Sequence, residues 1–194
     1  MEQVRTFVAI ELNDLIREQL SKAQTLLKRK GIADQLRWVQ PQSIHLTLKF
    51  LGNVPVSRLK EIVIAIEQAS DGMGPFSLSL GSLGCFPSAS RPSVIWIGVG
   101  GDTRELARLH TRMDDRLSVL GYPTEKRKFT PHLTLARVDK RAKTTDRRRL
   151  GGLMEGLDVD LVGEMEVREI TLMKSDLTPT GAKYTRLAVI ELER

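Results

Sequence analysis

HLTL at residues 45–48 and HLTL at residues 132–135 are the two stretches around which this chain is organised. Each copy lies within a longer apolar run whose alternation predicts a β-strand. Successive side chains of a strand point to opposite faces, so His45 and Thr47 are expected on one face and the leucines on the other. The same alternation applies to the second copy. Each strand therefore presents an imidazole beside a hydroxyl and buries its leucines.

The repetition itself indicates function. Two of the three histidines in the chain belong to these copies. Strand propensity explains the leucines, the threonines and the alternation, but not a histidine at the start of both runs. A single His-x-Thr is more often exposed polar surface, whereas two copies separated by nearly half the chain indicate a duplicated unit. If the strands lie together, His45, Thr47, His132 and Thr134 surround a phosphate-sized volume with an acid, a base and neutral hydrogen-bond donors.

The two motifs together resemble those of the two-histidine (2H) phosphoesterases. Within that superfamily the chain resembles the bacterial and archaeal RNA 2′,3′-cyclic phosphodiesterases, also called 2′–5′ RNA ligases or LigT-like proteins. The resemblance extends over nearly the whole chain. The stretches that carry it are HLTLKFLG (45–52), PHLTLAR (131–137), RTFVAIEL (5–12), LRWV (36–39), LGCFPS (83–88), VIWIGV (94–99) and SDLTPTGAKYTRL (175–187).

The predicted fold class is α+β, because periodicity gives helices and strands in two related halves. The resemblance implies the bilobal 2H arrangement, with two antiparallel sheets that flank a central cleft and helices outside. It also implies a single domain over residues 1–194, in which each of two pseudo-symmetric lobes contributes one H-x-T-x strand. Helices are predicted at about 14–30, 57–69 and 103–120, with a short one ending near 157, and further strands at 4–12, 36–39, 76–83, 93–99, 167–175 and 184–192.

Composition limits the class of protein. The net charge of +6 favours a polyanionic partner such as RNA. The sequence contains no run of 18 apolar residues, so no membrane span is predicted. The N-terminal stretch enters a strand pattern directly and lacks the basic segment followed by a long apolar segment that is typical of a signal peptide. A cytoplasmic monomer without a membrane partner is therefore expected. Cys85 is the single cysteine, so an internal disulfide is excluded, and three histidines give no zinc-type cluster, so neither a metal nor another cofactor is expected.

By the resemblance, His45 donates a proton to the leaving 3′ oxygen of a 2′,3′-cyclic phosphate, and His132 accepts one from water. The product is a 2′-phosphomonoester; the residues alone leave the two roles unassigned, because the copies are near-identical. Thr47 and Thr134 would donate hydrogen bonds to the phosphoryl oxygens. A 5′-hydroxyl in place of water would give reversible 2′–5′ RNA ligation. The alternatives are a phosphodiesterase for small cyclic or 2′–5′-linked nucleotides and a non-catalytic RNA-binding module, which two intact motifs disfavour.

Four further residues are candidates for substrate binding. Arg137 matches a family arginine that would neutralise phosphate, although strict alternation places it on the leucine face unless a bulge rotates it. Lys49 has the same parity as His45, which predicts a position at the rim of the cleft. Phe7, in the first strand, and Tyr184, in the last, are candidates for stacking on a base.

Overall fold

The structure is a computed structural model, and it describes residues 2–32, 35–155, 162–179 and 181–193. These residues form nine β-strands and four α-helices, together with a π-helical turn at Lys28–Ile32 and short 3₁₀ turns at Pro41–Ser43 and Val56–Arg58. The strands are β1 (Gln3–Glu11), β2 (Leu36–Trp38), β3 (His45–Pro55), β4 (Phe76–Phe86), β5 (Val94–Gly101), β6 (His132–Val138), β7 (Gly163–Val167), β8 (Glu169–Thr178) and β9 (Gly181–Glu191). The helices are α1 (Asp14–Leu27), α2 (Leu59–Ser70), α3 (Thr103–Val119) and α4 (Thr144–Glu155).

Two antiparallel sheets carry the two motifs. One sheet has the strand order β3-β1-β8-β9 and the other has the order β2-β6-β5-β4-β7. Each contains one HLTL strand, and β3 and β6 contact one another where the sheets meet. The predicted α+β fold of two antiparallel sheets is therefore confirmed. The apolar run 93–99 becomes β5, the central strand of its sheet, as its continuous hydrophobicity indicates.

Helix α1 joins the two sheets at this junction. It begins as predicted, because Asn13 Oδ1 accepts a hydrogen bond of 2.9 Å from the Ile16 amide. On its buried face Gln24 Nε2 donates to the carbonyls of Val39, at 2.7 Å, and Leu135, at 3.0 Å. One buried amide thus connects the helix to the chain before the first motif and to the second motif itself.

Several predicted boundaries are corrected. Helix α1 ends at Leu27 rather than near residue 30, β4 continues to Phe86, and β9 begins at Gly181. Strand β7 is absent from the prediction because GEMEV buries only Met165 and Val167 at the edge of a sheet. The predicted end of the last helix near residue 157 lies outside the described residues. None of the helices in the described ranges is long and apolar enough to cross a membrane.

Candidate active site

Both HLTL copies contain a β-bulge at their fourth residue. The residue skipped in the pairing of β3 with β1 is Leu48, and the residue skipped in the pairing of β6 with β5 is Leu135. A bulge adds one residue to one strand and moves the following side chains to the opposite face. In the second copy the Leu135 carbonyl accepts hydrogen bonds from the Val39 amide, at 2.9 Å, and from Gln24, which hold the backbone at the bulge.

The bulges exchange the faces that strict alternation predicts. Arg137 is exposed on the face of the histidine in β6, and Phe50 takes the equivalent place in β3. The prediction that Lys49 lies at the rim of the cleft is wrong, because the bulge turns its side chain away from His45 into the protein. Lys49 is only 3% exposed. Its amine donates to the Asp114 carboxylate and, at 2.6 Å, to the Pro123 carbonyl.

Strands of both sheets line a cavity of about 320 Å³ where the two motifs meet. The cavity brings together seven of the eight predicted site residues and excludes Lys49. None of the described residues in its lining is acidic, while two are arginines, so the cavity favours an anion. The lining consists of Arg5, Phe7, Val39, Ser43, Ile44, His45, Thr47, Phe50, His132, Thr134, Arg137, Ser175, Leu177, Ala182 and Tyr184.

The backbone holds the two imidazoles in the same way. His45 Nδ1 lies 3.0 Å from the Ser43 carbonyl oxygen, and His132 Nδ1 lies 2.7 Å from the Thr130 carbonyl oxygen. A carbonyl only accepts a hydrogen bond, so Nδ1 carries the hydrogen in both rings. Nε2 of each histidine is therefore the nitrogen that gains or loses a proton. Both copies of the motif thus provide an imidazole of defined tautomer.

Aromatic rings fix the orientation of each histidine. The His45 ring stacks on Phe7 with centroids 4.6 Å apart, and it meets the edge of Tyr184 at 5.0 Å. On the opposite side His132 meets Phe86 edge-on at 4.9 Å. Phe7 is only 2% exposed, so its ring supports His45 and is not free to stack on a base as expected. Phe50, 57% exposed, presents its ring in the same cavity, tilted against Phe7 with centroids 5.8 Å apart.

The two histidines have different electrostatic surroundings. Burial lowers the pKa of His45, and this effect is partly opposed by the hydrogen bond to Ser43 and by the charge of Glu11. Glu11 lies directly opposite His45 in the pairing of β1 with β3. Its carboxylate is held by Arg186, at 2.6 Å, and by the Thr171 hydroxyl, at 3.1 Å. Opposite the second histidine the corresponding residue is a glycine, Gly98.

Neutral and charged donors complete the site. Within the described residues the hydroxyls of Thr47 and Thr134 have no protein hydrogen-bond partner, so both are available to a ligand. Arg5 and Arg137 add fixed positive charge, and both oppose the rise in the pKa of Tyr184 that its burial causes. In the part of the chain that the structure describes, no three His, Cys, Asp or Glu side chains are grouped to hold a metal ion.

Comparison with known proteins finds one family model that matches the chain twice. The family model described as LigT like Phosphoesterase matches residues 10–96 and again residues 97–184, so each match includes one HLTL copy. The chain belongs to the LigT-like phosphoesterase family. This assignment agrees with the resemblance carried by the sequence motifs.

Similar proteins cover the full length of this LigT-like phosphoesterase. The RNA 2′,3′-cyclic phosphodiesterase of Methanothermobacter thermautotrophicus is 34% identical over 190 residues, which cover 98% of this chain and 100% of the relative. The protein of the same name from Methanocaldococcus jannaschii is 36% identical over 184 residues, covering 93% and 96%. The crystal structure of E. coli LigT complexed with 3′-AMP has 26% identity, covers 100% of both chains and gives a TM-score of 0.75.

Sequence reasoning missed two residues of this LigT-like phosphoesterase site, Phe50 and Arg5. Phe50 stands five residues after His45, just as Arg137 stands five residues after His132. Because Arg137 matches a family arginine, the equivalent position in the first motif, Phe50, could have been predicted as a site residue. Arg5 carries no comparable signal, since an arginine near the start of a strand is ordinary surface.

Proposed function

We propose that this chain hydrolyses RNA ends that carry a 2′,3′-cyclic phosphate and leaves a 2′-phosphomonoester. The observation that carries the proposal is the pair of imidazoles, each with Nδ1 bound to a carbonyl, in one cavity without a described acidic residue. Opening a cyclic phosphate needs a base for water, an acid for the departing sugar oxygen, and donors for the phosphoryl oxygens. The two relatives named RNA 2′,3′-cyclic phosphodiesterase support the same reaction and the same substrate.

In the proposed step the two histidines act on opposite sides of phosphorus. Nε2 of His132 takes a proton from water while the water oxygen bonds to phosphorus. The bond between phosphorus and the 3′ oxygen breaks, and Nε2 of His45 gives its proton to that oxygen. The assignment of His45 as the acid follows the family resemblance; burial lowers the pKa of its ring, and the charge of Glu11 partly opposes that effect. Each histidine is expected to contribute about 10²- to 10⁴-fold.

The phosphoryl oxygens are expected to receive the remaining contacts. Thr47 and Thr134 stand two residues after their histidines on the cavity face, so one hydroxyl reaches the phosphate from each side. Arg137 supplies a charge that remains at any working pH, since a guanidinium is not deprotonated. These groups are in place before the reaction, which is the condition under which donors stabilise developing charge most. The proposal therefore requires no metal.

The same site accommodates ligation. If a 5′-hydroxyl takes the place of water, its oxygen bonds to phosphorus and a 2′–5′ linkage results, with the same acid and the same base. Hydrolysis and ligation are thus distinguished by the nucleophile alone. We propose hydrolysis as the main reaction, since water is the more abundant nucleophile, and a monomeric cytoplasmic protein as the active form.

The decisive experiment is incubation with a short RNA that ends in a 2′,3′-cyclic phosphate, with EDTA present and the 2′- and 3′-monophosphate products separated. His45→Ala and His132→Ala are compared with His110→Gln, a matched control because His110 lies in α3 outside the cavity. The proposal is supported if a 2′-phosphate forms in EDTA, and if this product is lost in His45→Ala and His132→Ala but not in His110→Gln. A 3′-phosphate would reverse the assignment of the leaving oxygen, and no turnover by the wild type would overturn the substrate class.

A further inference from the structure

Two arginines face one another on neighbouring strands at the edge of the five-stranded sheet. Arg37 of β2 pairs directly with Arg137 of β6. Both are exposed, whereas the adjacent pair of Leu36 and Val138 is buried. Directly paired residues of antiparallel strands project from the same face. Since Arg137 lines the active-site cavity, Arg37 lies beside it on the outer side, on the edge strand.

Neither arginine of this pair forms a salt bridge with a residue that the structure describes. Like charges directly opposite in a sheet are destabilising. The carboxylate of Asp139 interacts electrostatically with Arg37, but it bonds to Arg141 through the amide at 2.8 Å and the side chain at 3.5 Å. Arg186, by contrast, is paired with Glu11. A pair of arginines that forms no salt bridge and lies next to a phosphate site indicates a second anion just outside the cavity.

We propose that Arg37 binds the RNA backbone phosphate that precedes the terminal nucleotide, while Arg137 faces the reacting phosphate. This inference rests on the function proposed above. The cavity volume of about 320 Å³ is at the lower end of the range for small-molecule pockets, so it accommodates the terminal nucleotide and leaves the rest of the strand outside. Strand β2 is the edge of its sheet, so no described strand obstructs an RNA that leaves on this side.

The consequence is a preference for a polymer over a mononucleotide. A guanidinium binds a phosphodiester through charge-assisted hydrogen bonds and releases counter-ions as it does so. A mononucleotide 2′,3′-cyclic phosphate has no preceding phosphate and gains nothing from Arg37. An RNA that ends in the same nucleotide gains one contact. Arg37 should therefore change the reaction with RNA and leave the reaction with the mononucleotide nearly unaltered.

The test compares adenosine 2′,3′-cyclic phosphate with an eight-nucleotide RNA that ends in the same group. Arg37→Ala is measured beside Arg104→Ala, a control at an exposed arginine of α3 outside the cavity. We expect Arg37→Ala to raise the KM for RNA by about three- to tenfold. The slope of log(kcat/KM) against log salt should become shallower by about 0.7, the value for one phosphate on a single strand. The mononucleotide values should change less than twofold.

The outcomes separate this inference from the proposed function. If the wild type hydrolyses the mononucleotide and Arg37→Ala affects both substrates equally, or neither, the phosphate contact is overturned while the proposed function stands. If the wild type hydrolyses neither substrate, both fail together. An effect of Arg104→Ala as large as that of Arg37→Ala would also overturn the inference, because general surface charge would then explain the salt dependence.

Discussion

The ion pair between Lys49 and Asp114 gives a quantitative prediction for stability. Replacing Lys49 by Met keeps most of the aliphatic stem and removes the amine that contacts Asp114 and the Pro123 carbonyl. The Asp114 side chain is 12% exposed, and it would retain a single described donor, the Glu125 amide at 3.1 Å. Removing one partner of a buried ion pair costs about 3–5 kcal/mol, because the remaining charge is left uncompensated.

This cost converts into a melting temperature. An unfolding entropy of about 2.1 cal/mol/K per residue gives about 0.4 kcal/mol/K for the 194 residues of the chain. Lys49→Met should therefore lower Tm by about 7–12 °C. Replacing both partners by apolar residues is often neutral or stabilising, so Lys49→Met combined with Asp114→Leu should recover at least half of that loss.

The assay is thermal unfolding followed by circular dichroism and by calorimetry on the wild type, both single variants and the double variant. Lys60→Met is the matched control, since Lys60 is exposed on α2, and its Tm should change by about 1 °C or less. A decrease in Tm of less than about 2 °C for Lys49→Met would refute the reasoning. So would a double variant whose losses simply add, because the partners would then not be coupled.

Three further predictions concern the site. Glu11→Gln removes a charge that raises the pKa of His45, so the alkaline limb of the pH profile of kcat/KM should move to lower pH. If the limb does not move, the charge of Glu11 does not influence the pKa of the catalytic acid. Phe50→Ala should raise the KM for a nucleotide substrate about 5- to 150-fold if the exposed ring stacks on the base, with Val119→Ala, an exposed position on α3, as the control without effect. Burial lowers the pKa of His45 below the unfolded value of about 6.5. At pH values between the folded and the unfolded pKa, the unfolded chain therefore binds more protons than the folded chain. Stability to urea should rise with pH through that window and be lost as pH falls. His45→Gln should flatten this rise without abolishing it, since burial lowers the pKa of His110 as well.

The sequence predicts the elements of this site better than it predicts their faces. The repeated HLTL identifies both strands, and alternation correctly orients the residues from His45 to Leu48. Alternation then fails, because a bulge changes the parity of the residues that follow it and has no clear signal in the sequence itself. Lys49 and Phe50 exchange places for this reason, and Arg137 reaches the cavity by the same irregularity. Strand β7 is missed for a different reason, since a short edge strand buries too few residues to show a period.

The two halves of the site have the same backbone arrangement but differ in the side chains at equivalent positions. This difference explains how a nearly symmetric cavity performs an asymmetric reaction. Five residues after its histidine, one motif presents the exposed ring of Phe50 and the other presents the charge of Arg137. Opposite the histidines, one half has Glu11 and the other has Gly98. A nucleotide whose base lies on the aromatic side and whose phosphate lies toward the arginine has one orientation in the cavity. In the proposed reaction that orientation brings a single sugar oxygen to His45, the histidine that lies opposite Glu11, so one of the two P–O bonds breaks and one product forms.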